Sequence, residues 1–147
     1  MELLIGEYRN TLDEKGRVMF PSKLRSALTQ DSLIIAKSLD KALWLYTPEY
    51  WTELKTKLME NTSLFSRQGR MLRDRLLGMA QVVEFDKAGR ISVPQILREY
   101  AGLNKECVII GVDKYVELWD AEEYRKNVEE FEPDVSAAAE MLTGINF

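Results

Sequence analysis

The sequence predicts an α+β fold made of two tandem modules of ββαββ type, and three observations carry that prediction. The chain repeats itself at an offset of 73 positions, which brings Asp13 onto Asp86, Gly16 onto Gly89, Arg17 onto Arg90, Pro21 onto Pro94, Leu24 onto Leu97 and Arg25 onto Arg98 without a gap. The same offset brings Asp40-Lys41 onto Asp113-Lys114, Leu45 onto Leu118 and Glu49 onto Glu122. In each copy, apolar runs of strand length alternate with stretches opened by proline or a capping residue. Finally, a unit of about fifty residues is too small to bury both faces of its strands alone. The copies must therefore pack on each other, and strands exchanged between them can close a small pseudo-two-fold β-barrel with helices at its flanks.

The first copy opens with a strand over residues 3–8 and a second over 17–20. Between them, Asp13-Glu14-Lys15-Gly16-Arg17 reads as a tight reversal. Aspartate hydrogen-bonds its own backbone to start a turn, and glycine supplies the positive φ that ends it. Four positions separate Asp13 from Arg17, so the two side chains can pair across the tip. Pro21 opens a short helix whose apolar face is Leu24, Ala27 and Leu28, while Lys23 and Arg25 on its outer side are either phosphate contacts or ordinary solvated charges. Leu33-Ile34-Ile35-Ala36 and Ala42-Leu43-Trp44-Leu45-Tyr46 are buried strands joined at Leu39-Asp40-Lys41. Thr47-Pro48-Glu49 starts a helix with a cap, a proline and an acid in the first turn, and Trp51, Leu54 and Leu58 form its apolar face.

Between the copies, residues 63–77 are predicted helical, with Gly78 at the end. Arg67, Arg70 and Arg73 recur at every third position there, either as a basic stripe for DNA or as partners for acidic helices of a neighbouring copy. The second copy repeats the plan: a strand over 80–85, the turn Asp86-Lys87-Ala88-Gly89-Arg90, a strand over 91–93, a helix from Pro94 to near Gly102, and strands over 107–110 and 116–119. Asp120-Ala121-Glu122-Glu123 resembles a capping box and leads into an apolar stripe of Tyr124, Val128 and Phe131. Residues 135–142 have room for a last helical turn or two. These elements divide the chain into a first module (5–52), a helical linker (53–79), a second module (80–124) and a C-terminal helix and tail (125–147).

Composition narrows the function. The 147 residues include no histidine, which removes the commonest general base and metal ligand. No zinc spacing, phosphate-binding glycine loop or nucleophile elbow is present, so the expectation is a protein that is not an enzyme, with no cofactor, metal or small-molecule substrate. Cys107 is the single cysteine and lies in an apolar run, so it reads as a small buried hydrophobe. No apolar run reaches the roughly 18 residues of a membrane helix, and the start lacks a secretory pattern; the expected location is the cytoplasm. The net charge of −4 conceals an asymmetry: residues 1–80 hold 13 basic and 10 acidic side chains, residues 81–147 hold 7 and 14. Such asymmetry suits one polyanion-facing side and one solvated or partner-facing side.

The paired turns and the proline helices that follow them also carry a resemblance. D-x-K-G-R followed by P-x-x-L-R, repeated once, resembles the MraZ family of bacterial transcriptional regulators, whose halves are SpoVT-AbrB-type modules. The resemblance runs from residue 5 to 124 and includes Leu76-Leu77-Gly78-Met79-Ala80 and Glu117-Leu118-Trp119-Asp120. The second motif departs from the first in having Ala88 where Lys15 stands, with Lys87 one position earlier. The resemblance implies AbrB-like modules closing the barrel, a closed homo-oligomeric ring and a nucleoid-associated protein. It further implies that double-stranded promoter DNA is the partner, read as short direct repeats at the operon for cell division and wall synthesis, the protein's own promoter included. A rigid tip holding a guanidinium suits phosphates and the O6/N7 edge of guanine. Arg17 and Arg90 are thus the expected DNA contacts, Lys15 and Lys87 their support, and Asp13, Gly16, Asp86 and Gly89 the residues that shape the loops. In a ring, the acidic second half of one subunit would meet the arginine-bearing linker of the next. The alternative is an oligomeric scaffold or protein-interaction ring whose loops are purely structural.

Overall fold

A duplicated sequence gives a duplicated set of elements. The computed structural model describes residues 4–147. The first copy forms β1 (Leu4–Thr11), β2 (Arg17–Met19), α1 (Ser22–Ser26), β3 (Ser32–Lys37), β4 (Leu43–Tyr46) and α2 (Pro48–Glu60). After α3 (Arg67–Leu77) the second copy forms β5 (Gln81–Glu84), β6 (Arg90–Ser92), α4 (Gln95–Ala101), β7 (Glu106–Asp113), β8 (Tyr115–Asp120) and α5 (Ala121–Phe131). A 3-10 turn, Glu132–Asp134, then leads into α6 (Val135–Glu140). Leu3, expected in the first strand, lies outside the described residues.

Six strands make one antiparallel sheet in the order β1-β7-β8-β4-β3-β5, and β2 and β6 make a separate two-stranded ribbon. Exchanging the copies reverses that order into itself, so the sheet has an internal two-fold. The first strand of each copy is given to the other: β1 pairs with β7, and β5 with β3. The axis passes through the pairs Trp44↔Glu117 and Val18↔Ile91, each of which joins residues one repeat apart. At the first of these the Trp44 indole Nε1 donates to Glu117 Oε2 at 3.2 Å.

Two expectations change here. The aspartate turns do not fold their flanking strands into hairpins; beyond the single Leu12↔Val18 bridge, β1 leaves for β7 and β2 for β6. β1 satisfies its backbone along the full length of β7, whereas the three residues of β2 suffice only to cross the axis. The sheet also remains open among the described residues, with β1 and β5 as its edges, because the short ribbon strands pair with each other instead of linking those edges. The architecture is a mixed α and β fold with an antiparallel sheet, not a closed barrel.

Side-chain alternation along the strands divides the core. On one face, Leu33, Ile35, Leu45, Ile109 and Leu118 meet Val18, Phe20, Ile91 and Val93 of the ribbon segments and Leu24 and Leu97 of α1 and α4. A five-residue helix has no stability of its own; α1 is held by buried Leu24 behind Pro21. On the opposite face α2 covers Ile34, Ala36 and Tyr46 with Tyr50, Trp51 and Leu54, while α5 sets Tyr124 against Trp119. Cys107 is fully buried in the first cluster, and desolvation, with the Asp120 charge behind it, pushes its thiol up to about 12.

The repeat is locally out of step. Leu33 and Ile35 take the core positions of Cys107 and Ile109, an offset of 74, although their partners Leu45 and Leu118 remain 73 apart. The hairpins restore the phase. Residues 38–42 connect the paired Lys37 and Leu43, whereas Asp113-Lys114 alone turns between Val112 and Tyr115, with Asp113 at φ 66°. The helix starts follow the capping signals. Thr47 accepts from Tyr50 N at 3.2 Å, and Asp120 from Glu122 N and Glu123 N at 3.2 Å each. The box is not reciprocated, since Glu123 reaches Lys41 Nζ at 3.2 Å instead. No helix among the described residues is long and apolar enough to cross a membrane.

Candidate nucleic-acid interface

Both turns are built by one aspartate each. Asp13 Oδ1 accepts from the backbone N–H of Lys15 and of Arg17, at 2.9 Å each, and Oδ2 accepts from Arg17 Nε at 2.8 Å. Asp86 repeats the set with Ala88 N, Arg90 N and Arg90 Nε at the same three lengths. Gly16 and Gly89 close the turns at φ 78° and 87°, a region that a side chain would strain. The backbone N–H of Arg17, aided by its guanidinium and the Lys15 N–H, holds the Asp13 carboxyl below its ordinary value. Arg90 and Ala88 do the same to Asp86. The clip is therefore ionised and charge-assisted at neutral pH.

What the turns carry is set by the ribbon. Val18 and Ile91 face inward, so the alternate positions Arg17, Met19, Arg90 and Ser92 share the outward face. Arg17 lies opposite Ser92 and Arg90 opposite Met19, which makes the two arginines diagonal neighbours, a relation that spans about 7–8 Å between strands. Their side chains are about one third exposed, at 28% and 33%. Arg90 also leans toward the other turn, with Nη1 4.0 Å from Asp13 Oδ2. Each ribbon end is tied to the opposite turn, for Phe20 N donates to Gly89 O at 3.1 Å and Val93 N to Gly16 O at 2.9 Å.

A second pair of arginines joins this cluster from α1 and α4. The guanidinium of Arg98 stands where a side chain at Gly16 would point, and its Nη1 is 3.5 Å from the Lys15 carbonyl. Arg25 stands over Gly89 in the same way. Each copy's helix arginine thus rests on the other copy's turn. Lys15 and Lys87 are exposed at the tips. The turns and the two helix arginines bring together six basic side chains and three carboxylates, of which Asp13 and Asp86 are already bound to arginine.

Sequence reasoning named Arg17, Lys15, Arg90 and Lys87, and the structure gathers all four around one axis. It missed Met19 and Ser92, which strand alternation from Val18 and Ile91 would have exposed, and the crossing of Arg25 and Arg98, which leaves no trace in a linear pattern. The linker arginines are not an unencumbered stripe. Arg73 donates to Thr62 Oγ1 and Thr62 O at 2.8 Å each, and Arg70 to Leu64 O at 2.8 Å, so both tie α3 to the connection that leads from α2. Arg75 binds Tyr100 Oη at 2.9 Å.

The chain is similar along nearly its whole length to proteins of one family. The family model described as "MraZ protein, putative antitoxin-like" matches twice, over residues 3–75 and 76–145. A protein of Treponema denticola named "Transcriptional regulator MraZ" is 49% identical over 144 residues, covering 98% of this chain and all of its own length. Its namesake in Treponema pallidum strain Nichols is 39% identical over 137 residues, covering 93% of this chain and 92% of the relative.

Proposed function

The chain belongs to the MraZ family, and from that premise we infer that it is a sequence-specific DNA-binding transcriptional regulator whose β2–β6 ribbon enters the major groove. The ribbon's outward face is the observation that carries the reading. The major groove of B-DNA admits a two-stranded ribbon, and an arginine fork matches the O6/N7 edge of guanine. Arg17 and Arg90 are held at Nε by their aspartates, which lowers the rotamer freedom lost on binding. Lys15 and Lys87 take phosphates. Asp13 and Asp86 set the turns and do not face the DNA, whose phosphates repel them. The relatives' name supports a regulatory role, and the resemblance points to the promoter of the division and wall-synthesis operon.

One ribbon is a small surface, since specific interfaces bury about 1,000 Å² or more of protein. Several chains therefore act together. Two surfaces away from the ribbon support assembly. Leu39 is exposed beside the basic α3, which itself exposes Met71 and Leu72, and Met141 and Phe147, 83% and 89% exposed, follow an acidic stretch of Glu129, Glu130, Glu132, Asp134 and Glu140. Contact between these surfaces on successive copies is head-to-tail and closes as a ring. Ribbons spaced around a ring read guanine-containing direct repeats about 10 bp apart.

The test is a gel shift on DNA upstream of the gene, with excess unrelated competitor. Retardation is expected for the wild type and should be weaker for Arg17→Ala at equal protein concentration, and about 5 bp inserted between repeats should abolish it by rotating the next site to the far side of the helix. An assembled protein that leaves this DNA unshifted would support the scaffold reading instead.

A further inference from the structure

Taking the ribbon as the DNA site, the internal two-fold raises a question of direction. The axis through Val18↔Ile91 carries Asp13 and its three hydrogen bonds onto Asp86, Arg17 onto Arg90, and the Arg25–Gly89 contact onto Arg98–Gly16. These matched parts offer DNA the same groups whichever way round the chain lies. On their own they would bind a recognition box equally well in either orientation.

The tips break that equivalence. Glu14-Lys15 occupies the place that Lys87-Ala88 occupies in the other turn, and all four residues are exposed. The first tip presents an acid followed by a base; the second presents a lysine one position earlier and no neighbouring charge. Consecutive Cα atoms are about 3.8 Å apart, so the two ammonium groups start from places the two-fold does not relate, and only one tip sets a carboxylate beside its lysine. Smaller differences accompany the tips: Met19 faces outward where its mate is Ser92, Arg90 alone leans across toward the other turn's aspartate among the described residues, and Lys23 on α1 is matched by Ile96 on α4.

The geometry points to residues 14–15 and 87–88 as polarity determinants, which make a single chain read its DNA box in one direction only. Arg17 and Arg90 supply recognition common to both directions, and the unequal tips choose between them. A direct repeat is then distinguished from an inverted one by each chain separately, in addition to any constraint from the ring.

Two symmetrised proteins test this. Glu14→Lys with Lys15→Ala copies the second tip into the first, and Lys87→Glu with Ala88→Lys copies the first into the second. Each tip sequence is one the fold already accommodates, and the backbone bonds to Asp13 or Asp86 are retained. The variants change net charge by +1 and −1, so a simple charge effect moves their affinities in opposite directions, whereas loss of polarity is common to both. Binding is measured on two-box DNA with both boxes in one orientation and with the second box inverted at unchanged centre-to-centre spacing. The wild type is expected to favour the first DNA on the order of fivefold, the factor that one charge contact of about 4 Å gives in water. Both variants should lose most of that preference, keeping only what the remaining differences, Met19 against Ser92 among them, supply. Equal binding of the two DNAs by the wild type, or full preference retained by either variant, overturns the inference. A wild type that binds neither DNA overturns the reading of the ribbon on which it rests.

Discussion

Arg17 and Arg90 each use one guanidinium for two purposes: Nε closes a turn on its aspartate, and the terminal nitrogens extend the outward face of the ribbon. Arg17→Ala and Arg90→Ala should each lower specific affinity by about 5- to 150-fold, the worth of a bidentate guanine contact of roughly 1–3 kcal/mol. Fluorescence anisotropy on operator DNA, beside a thermal melt that moves little, would check this; a large fall in melting temperature with unchanged affinity per folded molecule would leave the clip as the residues' whole role. The aspartates add a pH dependence. Their carboxyls titrate lower in the folded chain than the ordinary value of about 3.9, so their contribution to stability is fully present above that value and disappears as pH falls through the depressed one. Melting temperature should therefore lose this contribution only below about pH 4, and Asp13→Asn with Asp86→Asn should reduce the drop. The aspartate–arginine spacing could be read along the chain because both partners sit in one turn. Arg25 and Arg98 could not, because their partners are glycines of the other copy.

At the scale of elements, the ribbon bears the candidate interface and the sheet supports it. The sheet's far face holds Tyr46 among Trp44, Tyr50, Trp51 and Tyr115, where burial drives its phenol pKa upward and its hydroxyl has no hydrogen-bond partner among the described residues. An unsatisfied buried group of this kind costs about 1–3 kcal/mol. Tyr46→Phe should thus raise stability to chemical denaturation, by roughly 1 kcal/mol, with no effect on DNA binding. Most strand and helix starts were legible, for they rest on proline, caps and apolar runs. The pairing was not. Apolar runs such as Leu33-Ile34-Ile35-Ala36 and Cys107-Val108-Ile109-Ile110 look alike at several registers, so the local offset of 74 and the departure of β1 for β7 emerge only from the ladder. The intramolecular bonds of Arg70 and Arg73 were illegible for a related reason. Their main acceptors include backbone carbonyls, which have no sequence signature.

The whole molecule is interleaved, and this decides what can fold alone. Each half lends its first strand to the other's sheet and half of the ribbon to a shared site. Residues 1–79 and 80–147 expressed separately should each lack a cooperative thermal transition, and mixing them should restore one; two halves that melt cooperatively on their own would contradict the exchange. The duplication made a shared core predictable, whereas an open sheet with a ribbon over it was not, because closure depends on where two three-residue strands find partners. On the function proposed above, this ribbon reads guanine in the major groove. Dimethyl sulfate protection tests it directly, since the reagent attacks guanine N7 on that side of the duplex. Wild-type protein should protect guanine N7 within each repeat, and Arg17→Ala and Arg90→Ala should lose that protection at saturating protein. Tight, sequence-specific binding that leaves every N7 reactive would rule out guanine readout by the ribbon.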